Sequence, residues 1–210
     1  MLKLYSYFRS SAAYRVRIAL NYKQVDYETV SVNLVIGEQK SENYLSISAQ
    51  GLVPALELES GAVISQSTAI LDWLEDNYPA PKLYPTDSLA KAQLRTLTND
   101  IACDIHPLNN LRVLKYLKNE LEVTEEQKSA WYHHWINEGF IAIECALRPA
   151  PYAMGSEPSM LDVFLVPQVF NALRFETDMT PYPKIMAAYA ACNELGSFIA
   201  AAPQNQPDAT

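Results

Sequence analysis

Tyr5-Ser6-Tyr7-Phe8-Arg9-Ser10-Ser11-Ala12-Ala13-Tyr14-Arg15-Val16-Arg17-Ile18-Ala19-Leu20 is the stretch that decides the reading of this chain. Strand-forming residues lead into a short polar loop, and the loop opens a helix with apolar positions at Ala12, Val16, Ala19 and Leu20. Ser10, Ser11 and the Arg9 guanidinium therefore fall where a strand passes into a helix N-terminus. Unpaired backbone N–H groups and the positive end of the helix dipole favour an anion at such a place. A small thiolate is one candidate, because its pKa falls in that environment.

Outward from this stretch, strand and helix signals alternate up to about residue 80. Leu2–Tyr7 reads as a strand, Ala12–Tyr22 as a helix and Tyr27–Val32 as a second strand rich in β-branched residues. A loop holding Gly37 and a short helix at Ser41–Leu45 come next. Ala55–Leu58 and Ala62–Ile64 read as strands joined by the turn Glu59-Ser60-Gly61. Ser67 is expected to cap a helix over Thr68–Asn77 that turns Ile70, Leu71 and Leu74 inward. The order is βαβ followed by ββα, a small α/β domain over residues 1–80.

Pro79-Ala80-Pro81 and Pro85 form a linker, and no strand pattern follows it. A helical stretch runs from Ser88 to Leu117 with a break near Pro107. Thr124-Glu125-Glu126-Gln127 is a capping box that opens a helix to Leu147, and Ser159-Met160-Leu161-Asp162 is a second one. Asp162 is accordingly expected to serve the fold. A last helix is expected near Lys184–Glu194, and Ala201–Thr210 reads as a polar tail. Residues 86–210 thus form an all-helical second domain, in which Trp131 and Trp135 are packing residues, as Trp73 is in the first.

Composition narrows the function classes. The chain has 210 residues and is 49% hydrophobic, enough to bury a sizeable core. A formal net charge of −8 argues against nucleic acid or an anionic membrane surface as partner. The start, Met1-Leu2-Lys3-Leu4-Tyr5, reads as a strand without the apolar run of a signal peptide. No segment approaches the roughly 18 apolar residues of a membrane span. Three widely spaced cysteines, Cys103, Cys145 and Cys192, suit a reducing cytoplasm. Neither they nor the three histidines have the spacing of metal ligands, so no metal is expected.

This element order resembles the glutathione transferases, and within them the zeta class with the maleylacetoacetate and maleylpyruvate isomerases. The resemblance spans nearly the whole chain. It rests on Ser10-Ser11 followed by Arg15-Val16-Arg17-Ile18-Ala19-Leu20, on Gly51-Leu52-Val53-Pro54, on Gln66-Ser67, on Leu165-Val166-Pro167-Gln168 and on Asp178-Met179-Thr180-Pro181-Tyr182-Pro183. Cys103-Asp104-Ile105-His106-Pro107-Leu108-Asn109-Asn110 is most similar to bacterial members that isomerise maleylpyruvate.

The resemblance implies a thioredoxin-like N-terminal domain that binds glutathione, a helical C-terminal domain that binds substrate, and a cytoplasmic homodimer. It also implies the roles of individual residues. Ser10, with Ser11 as the alternative, donates a hydrogen bond to the glutathione sulfur and so favours the thiolate. Pro54 takes the cis form and presents the Val53 backbone to the peptide part of glutathione. Gln66 and Ser67 hold the γ-glutamyl end and Gln39 the glycyl end. His106 bonds glutathione or assists proton movement, and Asn110 or Asn109 adds a hydrogen bond. Arg9 and Arg174 grip the carboxylates of a diacid substrate through their planar forks.

The activity implied is isomerisation of maleylacetoacetate or maleylpyruvate to the fumaryl isomer in aromatic catabolism, by thiolate addition, bond rotation and elimination. General conjugation of electrophiles by a glutathione S-transferase is the alternative. Many zeta members carry Cys two positions after the residue matching Ser10, where this chain has Ala12. Chemistry that needs a protein thiol there is therefore not expected, whereas isomerisation needs only the thiol that glutathione brings.

Overall fold

Alternation along Leu2–Ser6 (β1) sends Leu2, Leu4 and Ser6 into the interior of the first unit and leaves Lys3 and Tyr5 on the other face, where both bond Glu57. The computed structural model describes residues 1–209, and the chain divides into two units: Met1–Lys82 together with the segment from Asn193 onward, and Leu83–Cys192.

In the first unit, β1 pairs in parallel with Tyr27–Ser31 (β2) and antiparallel with Ala55–Glu57 (β3), which pairs antiparallel with Val63–Ser65 (β4). The sheet order is β2-β1-β3-β4. The helices Ser11–Tyr22 (α1), Glu42–Ile47 (α2) and Ser67–Asn77 (α3) match the sequence reading to within a residue or two, the ordinary scatter of element ends. At the far end of α1, Lys23 is buried and donates to Glu75 Oε1 at 2.6 Å, the Tyr78 carbonyl at 2.7 Å and the Pro81 carbonyl at 2.9 Å. One ammonium, its three protons spent, ties α1 to the end of α3 and to the linker.

α1 is buried on more faces than its apolar stripe suggests, because α3 and a late helix, Gly196–Ala201, both pack on it. This departs from the expected division at residues 86–210. The last part of the chain is grouped with the N-terminal unit, and the segment read as a polar tail is partly core. Phe198, Ala201, Ala202, Pro203 and Gln206 are buried. Gln206 donates its side-chain amide to the Ala200 and Ala202 carbonyls. Thr210 lies outside the described residues. The attraction has a clear source in Arg17, which is fully buried and needs acceptors. Its Nε donates to the Ala201 carbonyl at 2.9 Å, Nη1 to Ser6 Oγ at 3.0 Å and Nη2 to the Phe8 carbonyl at 3.0 Å.

The second unit is helical: Ser88–Asn99 (α4), Leu111–Asn119 (α5), Glu125–Ala146 (α6), Met160–Arg174 (α7) and Pro183–Cys192 (α8). The Gly196–Ala201 helix of the first unit is α9. The expected break near Pro107 is a wide π-helical turn over Asp100–Ile105, followed by an irregular turn to Asn110. Both capping boxes form. Gln127 Oε1 accepts from the Thr124 backbone amide while Thr124 Oγ1 accepts from the Gln127 backbone amide. The buried Asp162 carboxylate takes four donors: the amides of Ala153 and Ser159, the Ser159 hydroxyl and, at 3.4 Å, the Cys192 thiol. It therefore joins the loop before α7 to the end of α8. Burial beside this carboxylate pushes the Cys192 thiol pKa well up, so it stays protonated. Cys103 and Cys145 are exposed free thiols.

α6 meets the π-helical turn at Gly139. A Cβ there would lie 2.2 Å from Ile105 Cδ1 and 2.3 Å from Cγ1, and Ile105 is fully buried with no room to yield. Gly139→Ala is expected to lower unfolding stability by about 1–3 kcal/mol through overpacking, despite alanine's better helix propensity. Urea denaturation checks this; a midpoint equal to or above wild type would show that the turn repacks freely.

Candidate active site

Three strand ends set the first part of the site. Tyr5 pairs with Ala55, and Ala55 with Ser65, so the C-terminal ends of β1 and β4 and the N-terminal end of β3 lie at one edge of the sheet. The Tyr7–Ser10 turn, Val53-Pro54 and Gln66-Ser67 all leave from that edge. β2, parallel to β1, sends the Val32–Gln39 loop from it as well.

Ser10 is the N-cap of α1: its backbone is extended and its Oγ accepts from the Ala13 amide at 3.2 Å. The oxygen lone pair is engaged while the hydroxyl proton is not, so the group can donate away from the helix. Ser10 is half-buried, whereas Ser11, the first helical residue, is 4% exposed. Of the two hydroxyls, Ser10 is the one that solvent or a ligand can reach. Arg9 is exposed, with its guanidinium over the Phe8 ring at 4.8 Å from the centroid.

Val53-Pro54 is cis. Pro54 is buried, and Val53 lies outside the ladder that starts at Ala55. At α3 the structure corrects the sequence reading. Gln66, not Ser67, takes the cap position, with φ at 70°, and no side chain caps the helix there. Ser67 is already helical and 6% exposed, and its hydroxyl accepts from Arg15 Nη1 at 3.3 Å. Side chains cap α1, α4, α5 and α6, so the open N-terminus of α3 contrasts with these. Open first-turn amides and the helix dipole suit a carboxylate.

Gln66 Nε2 donates to Gln50 Oε1 at 2.9 Å, and Lys40 Nζ donates to the Gln50 carbonyl at 3.1 Å. Gly51, at φ 59°, makes this approach possible, since a Cβ on it would fall 2.6 Å from the Gln39 carbonyl oxygen. Gln39 and Gln66 thereby belong to one cluster. Gln39 Oε1 is buried with no hydrogen-bond partner among the described residues. Sequence reasoning gave no role to Arg15, Lys40 or Gln50. A charged residue within an amphipathic helix reads as outward-facing, and a lone loop glutamine carries no signal.

The remaining candidates lie in the helical unit. His106 follows the π-helical turn, with its amide donating to the Ile101 carbonyl at 2.9 Å. Asn110 is the N-cap of α5, its Oδ1 accepting from the Arg112 amide at 3.1 Å. Asn109 donates from Nδ2 to the Tyr132 carbonyl at 3.0 Å, while its buried Oδ1 has no hydrogen-bond partner among the described residues. The two asparagines are used differently: the Asn110 carbonyl oxygen caps α5, and the Asn109 side chain is tied to the Tyr132 carbonyl with its own oxygen buried.

Arg174 is exposed in the last turn of α7, donating to Asn171 Oδ1 at 3.3 Å and lying 4.4 Å above the Phe175 ring. Phe175 stacks on Tyr132 with centroids 4.1 Å apart, and its carbonyl lies 2.7 Å from His133 Nε2. Tyr132 therefore connects Asn109 with the base of Arg174. No cluster of His, Cys, Asp and Glu among the described residues could hold a metal ion.

An open helix N-terminus, a cis-proline turn and a serine thus meet at one edge of the sheet, and a helical unit follows in sequence. Residues 4–82 match the family model of the glutathione S-transferase N-terminal domain. The chain is 47% identical to a probable maleylacetoacetate isomerase of Vibrio cholerae serotype O1, over 99% of this chain and 98% of that one. It superposes with a TM-score of 0.95 on the holo structure of a maleylpyruvate isomerase described as a bacterial zeta-class glutathione S-transferase. Identity there is 45%, covering 99% of this chain and all of that one (100%). A maleylacetoacetate isomerase from Anaeromyxobacter dehalogenans 2CP-1, with dicarboxyethyl glutathione and citrate in its active site, gives a TM-score of 0.89. It is 37% identical, with 100% of this chain and 94% of that chain covered. The chain belongs to the zeta class of the glutathione transferases, the family of the maleylacetoacetate and maleylpyruvate isomerases.

The Arg15–Ser67 contact yields a prediction independent of catalysis. Ser67→Ala takes one acceptor from a buried guanidinium and is expected to cost about 1–3 kcal/mol of stability. Chemical denaturation measures it; an unchanged midpoint would mean that Arg15 takes no support from Ser67.

Proposed function

We propose that this protein is a glutathione-dependent isomerase that converts a cis, maleyl-type diacid, maleylacetoacetate or maleylpyruvate, to its trans, fumaryl isomer. The observation that carries the reading is the convergence of the Ser10 turn, Val53-Pro54 and the uncapped α3 at one sheet edge, in a chain of this family. The site's own chemistry fits glutathione. An open helix N-terminus suits the γ-glutamyl carboxylate, Val53 lies off the ladder and can pair with a peptide backbone, and Gln39 and Gln66 offer side-chain amides in one cluster. When bound, glutathione supplies the thiolate nucleophile that makes bond rotation possible.

The chain's part is binding, orientation and charge stabilisation. Ser10 donates its hydroxyl proton toward the sulfur and favours the thiolate, and Ser11 supports the first turn behind it. Arg9 and Arg174 are assigned to the substrate carboxylates: both guanidiniums are exposed, and a dianion needs positive charge in a chain of net charge −8. Asn110, with Asn109 as the alternative, is assigned a hydrogen bond to glutathione or substrate, and His106 is assigned to proton movement or glutathione contact. The exposed free thiols suit a reducing cytoplasm, and the family resemblance supports a homodimer.

Two measurements test this reading. Ser10→Ala is expected to raise the pH at which bound glutathione ionises and to cut turnover about ten- to a hundredfold while largely sparing glutathione affinity. That is the kinetic equivalent of losing one hydrogen bond to a charged group. Thiolate absorbance followed against pH checks it, and an unmoved profile would transfer the role to another donor.

Arg9→Met and Arg174→Met separate isomerase from general transferase, because methionine keeps apolar bulk and lacks the fork. At least one variant should lose about a hundredfold on maleylpyruvate or maleylacetoacetate while conjugating a neutral chlorinated aromatic nearly as well as wild type. Equal losses on both substrates would place the arginines with glutathione or the fold; no loss on either would favour the general transferase.

A further inference from the structure

The turn that carries Arg9 and Ser10 is held from outside by the end of the chain. The Phe8 amide donates to Asp208 Oδ2 at 3.0 Å, across 200 positions of sequence. On its other side, the Phe8 carbonyl accepts from Arg17 Nη2 at 3.0 Å. Arg17 in turn reaches the Ala201 carbonyl at 2.9 Å and Ser6 Oγ at 3.0 Å, so one buried guanidinium joins the C-terminal segment to the exit of β1. Burial draws the Arg17 pKa down to about 10, with Tyr27, Tyr14 and Asp208 opposing the fall, and at neutral pH every one of its N–H donors is in place.

Phe8 is also the residue through which both functional side chains are aimed. Phe8 is 8% exposed, and its ring carries the Arg9 guanidinium on its face. The Ser10 amide donates to the Tyr7 carbonyl at 2.9 Å, closing the turn around Phe8 and Arg9. A turn this short has few free torsions once both peptide groups of Phe8 are fixed. Asp208 and Arg9 also share the lining of one cavity of about 240 Å³, together with Tyr7, Ser31 and Asn33.

We propose that the C-terminal segment, acting through the Asp208 carboxylate and braced by Arg17, is the positioning element of the Ser10 turn: Asp208 fixes the Phe8 peptide so that the Ser10 hydroxyl keeps its direction toward the sulfur. Asp208 is a positioning residue and does not touch the reacting atoms. The proposal rests on the role assigned above to Ser10.

Asp208→Ala removes the acceptor, and Asp208→Asn keeps an oxygen for the Phe8 amide. Both are made in the full chain, alone and combined with Ser10→Ala. Thiolate absorbance of added glutathione is followed against pH, and amide hydrogen exchange is followed at Phe8 and Ala13 in the protein without ligand. Asp208→Ala is expected to speed exchange at both amides and to raise the ionisation midpoint of bound glutathione by about half a pH unit. It should also lower turnover at saturating glutathione about tenfold, the order of a sub-ångström misplacement. Asp208→Asn should recover most of each effect, and Asp208→Ala should add no shift once Ser10 is alanine.

If Ser10→Ala moves the midpoint and Asp208→Ala does not, the positioning role is overturned and the role of Ser10 stands. A shift from Asp208→Ala of equal size with and without the Ser10 hydroxyl overturns it too, since the effect would not pass through Ser10. If Ser10→Ala leaves the midpoint unmoved, the assignment of Ser10 fails, and this proposal fails with it.

Discussion

Strand direction is the constraint on which the site depends. β3 runs against β1 and β4 runs against β3, so segments distant in sequence, at Tyr7–Ser10, Val53-Pro54 and Gln66-Ser67, meet at one edge of the sheet. A slip of one residue between β1 and β3 would exchange the faces of Leu4 and Tyr5 and take Leu4 out of the core. Core burial and site assembly are therefore specified by the same register.

Arginine does two kinds of work in this acidic chain. Arg15 and Arg17 are almost fully buried; Arg15 Nη1 donates to Ser67, while Arg17 donates to Ser6 and to the Phe8 and Ala201 carbonyls. Arg9 and Arg174 are exposed, and each holds its guanidinium over a neighbouring ring, Phe8 and Phe175. A guanidinium is less strongly hydrated than an ammonium, which makes the buried pair tolerable, and the aromatic rings cover one face of each exposed guanidinium.

Most elements were legible because apolar period and capping chemistry agreed, as at Ser10 before α1, Thr124 before α6 and Ser159 with Asp162 at α7. Ser67 misled because a serine before an apolar helix reads as a cap, whereas the backbone reverses one residue earlier, at Gln66, and turns the hydroxyl inward. The end of the chain was misread for a different reason. α9 has six residues, too few to show a helical period, and what recruits it is Arg17, almost two hundred positions away. Pattern reading sees local order, while a long-range demand for acceptors leaves no mark near the residues that meet it. Asn109 and Asn110 were indistinguishable in sequence because only the backbone decides which of two adjacent amides caps α5.

The stitching of Arg17 to Ala201 has a temporal consequence. Translation runs from N- to C-terminus, yet the first unit joins Met1–Lys82 to the segment from Asn193 onward. β1, α1 and the remaining strands emerge early, but until residue 201 has been made, Arg17 Nε lacks the carbonyl it bonds in the finished molecule. The Phe8 amide waits longer still, for residue 208. The whole helical unit is translated between these partners. Both contacts, Arg17 to Ala201 and Phe8 to Asp208, therefore close only after the intervening helical unit has been translated.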